Sequence, residues 1–211
     1  MLYFLNHQSQ TWKDKYIRSL FSLGGPWGGA VKSVKAFASG DNFGVMVAPS
    51  LTIRDDERTF PSLAYLLPSS NVFNANKVVV ETKQKKYVVG NYRDLFTDIN
   101  YDVGYNMWLD VKNLTHQLTA PGVEVYCIHG HGYDTMNKLI YEKNKFPDEN
   151  PDRIEYADGD GTVNIESLQA CQRWKYQQTQ PVHYFKIKGI DHKQVLSELK
   201  IIQHLITHAF S

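Results

Sequence analysis

Two side chains that each follow a predicted strand are the residues of this sequence best suited to chemistry. Asp160 stands between two glycines in segment 155–164, EYADGDGTVN, and glycines permit the backbone conformations of a sharp turn. His192 closes the loop 188–192, which follows a predicted strand over residues 182–187. The pair has the residue types of an orienting acid and a general base. In that chemistry, His192 takes a proton from a nucleophile and Asp160 fixes the imidazole tautomer.

The order of these residues along the chain narrows the class of enzyme. In α/β-hydrolases the nucleophilic serine, the acid and the histidine occur in that order. An acid followed by a histidine after the next predicted strand fits the second half of this order. The serine should lie upstream. Five serines in the first part of the chain lack a Gly-x-Ser-x-Gly context, and we assign the role of nucleophile to none of them: Ser9, Ser19, Ser22, Ser33 and Ser39.

Simpler interpretations of the acid and the histidine stay open. Asp-Gly pairs are common in turns, and a single histidine is more often a surface or packing residue than a catalyst. Residues 158–161 also resemble the beginning of a calcium-binding loop, but Gln169 occupies the position where an EF-hand needs a bidentate glutamate. Because each residue follows its own strand, the catalytic interpretation explains the two together better than turn or packing roles do.

A group of metal-ligand residue types occurs in and just after another predicted strand. Cys127, His129 and His131 lie close together in sequence, but their spacing does not fit a structural zinc site and no second ligand pair follows. We therefore predict no metal and no cofactor. Cys127 and Cys171 are the two cysteines, and composition alone does not decide between free thiols in a reducing compartment and a bridge in an oxidising one.

Length and composition describe an ordinary globular chain. Its 211 residues suffice for one sizeable domain, and 42% hydrophobic with 21% charged residues is typical of soluble proteins. A formal net charge of +1 gives no reason to expect a nucleic-acid partner. No apolar run is long enough to predict a membrane span. Residues 1–6 are apolar but lack the basic start and the cleavage site of a signal peptide.

The elements that must position Asp160 and His192 alternate between strands and helices, which predicts an α/β fold. Predicted strands cover residues 17–23, 78–82, 86–89, 123–130, 153–156 and 182–187. Predicted helices cover residues 1–18 with a break at 6–10, 30–38, 92–99, 106–118, 165–177 and 193–210. Residues 24–29, GGPWGG, predict a tight turn that lets the backbone approach another segment closely. Residues 131–152 are predicted to be a loop.

Two further segments have roles that the residues alone leave undecided. Residues 39–76 lack periodicity and carry a dense charge run at Arg54–Arg58, which fits either an active-site lid or a solvated surface loop. Asn113, Leu114 and Thr115 form a glycosylation sequon on the predicted helix 106–118. Modification of Asn113 is expected only if the protein passes through a secretory route.

Several motifs resemble the lecithin–cholesterol acyltransferase family. They are residues 22–29 SLGGPWGG, 38–42 ASGDN, 121–127 PGVEVYC and 158–164 DGDGTVN. The last of these, with residues 168–174 LQACQRW, is most similar to the lysosomal phospholipase A/acyltransferase (group XV) branch. The resemblance covers nearly the whole chain, and its motifs are far more specific than an isolated acid and histidine.

The resemblance carries structural expectations. It implies that residues 1–211 are the C-terminal part of one α/β-hydrolase domain, with strands of a mostly parallel sheet and a lid and cap insertion over residues 41–120. It implies a Cys127–Cys171 disulfide and assigns Asp160 and His192 as triad acid and base. A mobile lid over the acyl-binding track is expected from about residue 41 to 61. The residues expected to belong to this lid include Asp41, Phe43, Met46, Arg54 and Arg58.

The resemblance also carries functional expectations. It implies a lipid O-acyltransferase or phospholipase A that acts on glycerophospholipids through a Ser-His-Asp triad and passes the acyl group to water, a sterol or a ceramide-like alcohol. The full-length protein is expected to be lysosomal or secreted and to work at a membrane or lipoprotein surface. The family's serine elbow precedes the position of Met1, so we expect this chain to be inactive alone. Alternatives are a non-catalytic lipid- or partner-binding remnant, or a truncated gene model of the active enzyme.

Overall fold

A computed structural model of the protein describes residues 1–42, 49–115, 117–199, 201–203 and 207. Its strands are β1 Ser19–Leu23, β2 Val78–Thr82, β3 Lys86–Val88, β4 Glu124–His131, β5 Thr135–Tyr141, β6 Arg153–Ala157 and β7 Val182–Lys188. Its α-helices are α1 Leu2–Asn6, α2 Gln10–Tyr16, α3 Val31–Ser39, α4 Ser50–Glu57, α5 Pro61–Tyr65, α6 Tyr92–Asp98, α7 Asp102–Val111 and α8 Ile165–Leu168. Two 3-10 helices cover Ala170–Tyr176 and Gln194–Leu196.

The strands form two sheets, so the predicted α/β class is confirmed while the prediction of one mostly parallel sheet is incomplete. The first sheet has the order β1-β4-β7, and both pairings are parallel. The second has the order β3-β2-β5-β6, with a parallel β2–β5 pair between two antiparallel pairs. The predicted hairpin of residues 78–89 is the β2–β3 pair.

The three-stranded sheet is covered on both faces, as expected for parallel strands. Alternate residues of β4 point to opposite sides. On one side Val125 and Cys127 pack against the 3-10 helix that carries Trp174. On the other side Tyr126 and Ile128 pack in a cluster with residues that follow β7. None of the described helices is long and apolar enough to cross a membrane.

The largest apolar cluster joins the four-stranded sheet to the helices. Val34 and Phe37 of α3 are fully buried in the same cluster as Val79 of β2 and Leu139 of β5. These side chains of α3 are buried in the core, and their packing fixes the helix that follows the glycine-rich turn 24–29. The position of this turn matters for the site described below.

The prediction of irregular structure for residues 39–76 is wrong in part, because α4 and α5 lie within it. At the end of α4, Glu57 and Arg58 are buried, while Asp55 and Asp56 are exposed. Arg58 is 7% exposed, and its Nε donates to the Phe37 carbonyl over 2.8 Å. Glu57 accepts the backbone N–H of Asp41 over 2.9 Å. The open carbonyls at the C-terminal end of α3 require donors, and the charge run supplies them.

Strand β5 was missed because residues 131–152 were predicted to be a loop. The polar residues in the middle of β5 hide its apolar pattern. Lys138 is partnered across the sheet, with its Nζ 3.1 Å from a Glu81 oxygen and 3.0 Å from a Glu155 oxygen. Helix α7 begins and ends earlier than predicted. Of the predicted last helix 193–210, residues Gln194–Leu196 form a 3-10 turn, the described residues 199, 201–203 and 207 are α-helical, and the others from 200 onward lie outside the described residues.

Candidate active site

The Asp160 carboxylate is fixed by the turn in which it lies, between β6 and α8. The residue is 1% exposed, and its Oδ1 accepts the backbone N–H groups of Thr162 over 3.1 Å and Val163 over 2.8 Å. Gly161 has a φ of +86°, a conformation that favours glycine. Two backbone donors on a buried carboxylate compensate the loss of hydration and hold the side chain in one orientation.

His192 is bound to the second carboxylate oxygen. Its Nδ1 lies 2.8 Å from Asp160 Oδ2, and its backbone N–H donates to the Asp160 carbonyl over 2.8 Å. Because an ionised carboxylate only accepts, Nδ1 carries the proton in this bond and Nε2 is left as the basic nitrogen. This is the tautomer that a general base for a hydroxyl nucleophile needs.

The two residues meet although their strands belong to different sheets. The resemblance implies one mostly parallel sheet, but β6 is in the four-stranded sheet and β7 in the three-stranded one. The loop of Asp160 reaches the parallel sheet through the end of β4. The Tyr133 N–H donates to the Gly159 carbonyl over 3.1 Å, and the Gly132 N–H donates to Asp158 Oδ1 over 2.8 Å. The chain directly after β4 therefore bridges the two sheets.

The glycine-rich turn 24–29 lies directly against this pair, which confirms the predicted close approach. Gly24 has a φ of +62°, and its N–H donates to the Ile128 carbonyl over 2.8 Å. A Cβ at Gly24 would lie 3.1 Å from His192 Nδ1 and 3.6 Å from Asp160 Oδ2. Glycine is thus needed here both for the backbone conformation and for the space that the histidine occupies.

Two buried polar residues that sequence reasoning missed connect the Asp160 turn to its neighbours. Asn164 Oδ1 accepts the Val31 N–H over 3.1 Å, while its Nδ2 donates to the Met136 carbonyl over 2.8 Å. Ser167 Oγ accepts the Gly28 N–H over 2.9 Å. Both residues are fully buried. The signal for Asn164 was its place at the end of the motif 158–164, whereas Ser167 lies just after that motif and has no signal in the local sequence.

An apolar cavity of about 290 Å³ opens beside His192. Phe60, Leu63 and Leu66, in and around α5, form much of its wall, and Val163 from the Asp160 turn completes it. The histidine therefore presents a polar edge to a space that suits a hydrocarbon chain.

Comparison with known proteins gives the same assignment as the motifs. A family model described as lecithin:cholesterol acyltransferase matches residues 1–205. The chain belongs to this family. It is 41% identical to the phosphatidylcholine-sterol acyltransferase of Gallus gallus over 205 residues, which is 97% of this chain and 49% of that protein. It is 40% identical to the lysosomal phospholipase A and acyltransferase of Mus musculus over the same share of each chain.

The predicted family is thus confirmed. A third relative, the lysosomal phospholipase A and acyltransferase of Homo sapiens, is 39% identical over 204 residues. The chain spans about half the length of the curated relatives it matches. Identity to these three relatives does not separate the sterol-named protein from the lysosomal-named ones.

Cys127 and His129 of β4 each have a partner within the protein. Cys127 forms a disulfide with Cys171, which ties β4 to the 3-10 helix Ala170–Tyr176 as the family resemblance implies. His129 is buried, with Nδ1 2.7 Å from the Gly130 carbonyl and Nε2 2.8 Å from the Tyr184 hydroxyl. Burial lowers the pKa of His129. The described residues hold no group of three His, Cys, Asp or Glu side chains placed for a metal ion.

Of the residues expected in the lid, the three that the structure describes, Asp41, Arg54 and Arg58, do not line the cavity. Asp41 is buried near Lys32 and Lys35, 3.6 Å and 3.7 Å from their ammonium groups. Arg54 donates to the Pro147 carbonyl over 3.2 Å and, like Arg58, reaches the end of α3. The cavity wall near these residues is formed instead by α5. Phe43 and Met46 lie outside the described residues. Asn113 is exposed in the turn that follows α7.

Proposed function

We propose that this chain carries the acid and the base of a lipid O-acyltransferase or phospholipase A that acts on glycerophospholipids. Asp160 is the orienting acid and His192 the general base. The observation that carries the proposal is the 2.8 Å bond between Asp160 Oδ2 and His192 Nδ1, made by a carboxylate whose other oxygen accepts two backbone N–H groups. Such an arrangement fixes the imidazole and prepares Nε2 to accept a proton.

The reaction that this geometry supports has two half-reactions. His192 Nε2 accepts the proton of a serine hydroxyl while the serine oxygen attacks the ester carbonyl of a phospholipid. The imidazolium then returns the proton to the leaving lysophospholipid oxygen, and a serine ester remains. In the second half, Nε2 deprotonates water or a lipid alcohol, which attacks the serine ester, and the serine recovers its proton. The Asp160 carboxylate stabilises the imidazolium in both halves.

We place the nucleophilic serine in a part of the protein outside residues 1–211. Among the residues that the structure describes, no serine hydroxyl lies within hydrogen-bond distance of His192, whose side chain is bonded to Asp160. The curated relatives are about twice as long as this chain, so a second half of the site from another segment is consistent with their length. By this proposal, residues 1–211 alone have no esterase activity.

The cavity beside His192 is the proposed seat of the acyl chain. Its wall from α5 is apolar, and burial of apolar area contributes about 25 cal/mol per Å². We retain residues 41–61 as the proposed lid over this cavity. Asp41 on one side and Arg54 with Arg58 on the other are tied to α3 and its end, so they act as anchors of this segment in the proposal.

The proposed setting is the lysosome or the extracellular space, at a membrane or lipoprotein surface. The Cys127–Cys171 disulfide supports an oxidising compartment, because such bridges seldom persist in a reducing cytosol. The acceptor, whether water, a sterol or a ceramide-like alcohol, determines whether the net reaction is hydrolysis or transfer.

The experiment uses the whole protein that contains this chain, secreted from eukaryotic cells, and a soluble short-chain ester as substrate. His192→Gln and Asp160→Asn should each lower kcat/KM on the order of 10³-fold or more, since the base or its tautomer is lost. His183→Gln on β7 and Asp134→Asn, an exposed residue, are the matched controls and should stay near the wild-type value. Activity of His192→Gln within tenfold of the wild type would contradict the proposal.

A second arm examines the position of the serine. Residues 1–211 expressed alone should hydrolyse no ester, and His192-dependent activity from them would place the nucleophile inside the chain. If instead the whole protein binds phospholipid vesicles but neither hydrolyses nor transfers acyl groups, the chain is a lipid-binding remnant and the catalytic proposal is wrong.

A further inference from the structure

A second cavity lies on the other side of the glycine-rich turn from His192. It has a volume of about 190 Å³ and shares only Pro26 with the cavity beside His192. Its wall combines aromatic and polar side chains. The ones that matter here are Tyr65, Ser70, Trp108, Lys112, Asn113 and Thr115. The proposed acyl-transfer chemistry gives this cavity no role.

Both ends of the sequon line this cavity. Asn113 is exposed in the turn after α7, where the Lys112 N–H still donates to the Trp108 carbonyl over 2.8 Å. The Thr115 hydroxyl lies 2.5 Å from the Tyr65 hydroxyl, which joins the sequon turn to α5. An asparagine side chain that is exposed and also borders a cavity can carry a sugar that folds back into that cavity. Asn113-Leu114-Thr115 is the one Asn-x-Ser/Thr tripeptide of the sequence.

The chemistry of the wall suits a sugar. Trp108 is held in place by Tyr92 and Tyr105, with ring centroids 5.5 Å and 5.6 Å away. The Lys112 ammonium lies over the Trp108 ring, 4.7 Å from its centroid, so this part of the wall combines a cation with an indole. A pyranose has an apolar C–H face for an aromatic ring and hydroxyl and acetamide oxygens for an ammonium or a serine hydroxyl.

We propose that Asn113 is N-glycosylated and that its first N-acetylglucosamine occupies this cavity. The disulfide supports the secretory route that the modification requires. The sugar then bridges α5, through Tyr65, and α7, through Trp108. Because α5 also forms the wall of the cavity beside His192, the sugar braces the helix that shapes the proposed acyl site. The proposal depends on the secretory setting and is independent of acyl transfer.

The first measurement locates the sugar. The whole protein is secreted from insect cells, and peptide mass spectrometry should find N-acetylglucosamine on Asn113. Under native conditions the bond between Asn113 and the first sugar should resist peptide-N-glycosidase, and it should be cleaved after denaturation. Secreted protein without a sugar on Asn113, or a sugar released at the same rate before and after denaturation, would overturn the proposal.

The second measurement separates a seated sugar from a general effect of glycosylation. An endoglycosidase that leaves a single N-acetylglucosamine should not change the thermal midpoint, whereas Asn113→Gln should lower it by roughly 2–4 °C. Thr115→Ser keeps the sequon and should keep the midpoint. A moved sequon, Lys143→Asn with Lys145→Thr in the Asn113→Gln background, replaces two lysines that are each 70% exposed and should not restore it. If the moved sequon restores the thermal midpoint, the proposal that the first sugar of Asn113 occupies this cavity is wrong.

If Asn113→Gln is not secreted, the trimmed wild-type protein still decides the question. If the thermal midpoint falls by roughly 2–4 °C when the glycan is shortened to one sugar, the outer sugars, and not the sugar in the cavity, stabilise the protein. That result would also overturn the proposal, and neither result depends on whether the protein transfers acyl groups.

Discussion

The acid and the base of the proposed site are held in very different ways. The acid arm, residues 158–168, is bonded to the end of β4, to β5, to the glycine-rich turn and to α3, through Gly132, Met136, Gly28 and Val31. The base arm, residues 189–196, has fewer anchors. Its Gly189 N–H donates to the His131 carbonyl, and both His192 bonds go to Asp160.

This difference indicates an order in which the site is positioned. The acid arm is a fixed reference, and His192 takes its place from Asp160 on one side and from close packing on the other. That packing includes Gly24 beside the ring and Gly130 beneath the Ile190 backbone. The base arm should therefore depend on contacts that tolerate no added atoms, while the acid arm should depend on buried hydrogen bonds.

The largest expected effect tests the packing beneath the base arm. A Cβ at Gly130 would lie 1.8 Å from the Ile190 carbonyl oxygen, so Gly130→Ala must displace the backbone of β4 or of the base arm. We expect a loss of about 3 kcal/mol in the free energy of unfolding, measured by urea denaturation. The control is Gly189→Ala, which has open space around its Cβ but a φ of +77° and should cost about 1–2 kcal/mol. Equal effects of the two would show that packing beneath Ile190 is not decisive.

The next effect tests the bonds of the acid arm. Asn164→Ala leaves the Val31 N–H and the Met136 carbonyl without their partner in a fully buried place. Each unsatisfied group costs about 1–3 kcal/mol, so a loss of roughly 2–3 kcal/mol is expected in the same assay. Asn150→Ala, at an exposed asparagine, should change the free energy by less than about 0.5 kcal/mol. If Asn164→Ala leaves the free energy of unfolding unchanged, buried hydrogen bonds do not hold the acid arm as a fixed reference.

A smaller effect sharpens the comparison at one side chain that contacts the acid arm. Thr135 is buried on β5, and its Oγ1 accepts the Gly161 N–H over 2.9 Å and donates to the Tyr133 carbonyl over 3.0 Å. Thr135→Val keeps the shape of the side chain and removes both the acceptor and the donor, which should cost about 1–2 kcal/mol. Thr119→Val at an exposed position is the control and should be near neutral. A loss no greater than that of the control would show that the turn holds Asp160 without this bond.

The smallest effect is a pH dependence that originates beside the base arm. Burial lowers the pKa of His129 in the folded state. The unfolded state then binds the proton more readily. Through His129, the free energy of unfolding should therefore fall as pH drops below the unfolded histidine pKa of about 6.5. His129→Gln should flatten that part of the stability curve. An unchanged slope in His129→Gln would assign the acid sensitivity to other groups.

Much of the fold was predictable where local pattern and tertiary role agree. Strands β1, β4 and β7 were predicted because each contains a run of apolar and aromatic residues bounded by glycine or proline, and the β2–β3 hairpin was predicted for a similar reason. β5 was not, because Asn137 and Lys138 interrupt its apolar pattern and Lys138 is partnered only by residues of neighbouring strands. The role of the charge run at residues 54–58 was left open for the same reason, since Arg54 and Arg58 donate to carbonyls of α3.

The sequence by itself determined the family, the α/β class and the two residues that meet. Asp160 and His192 were identifiable because residue type, strand context and chain order are local properties of the sequence. Tertiary structure alone decided that their strands lie in separate sheets, that Asn164 and Ser167 hold the acid arm, and that Gly24 and Gly130 make room for the base arm. Those features depend on which distant backbone groups lack a partner or lack space, and no local pattern of residues encodes that information.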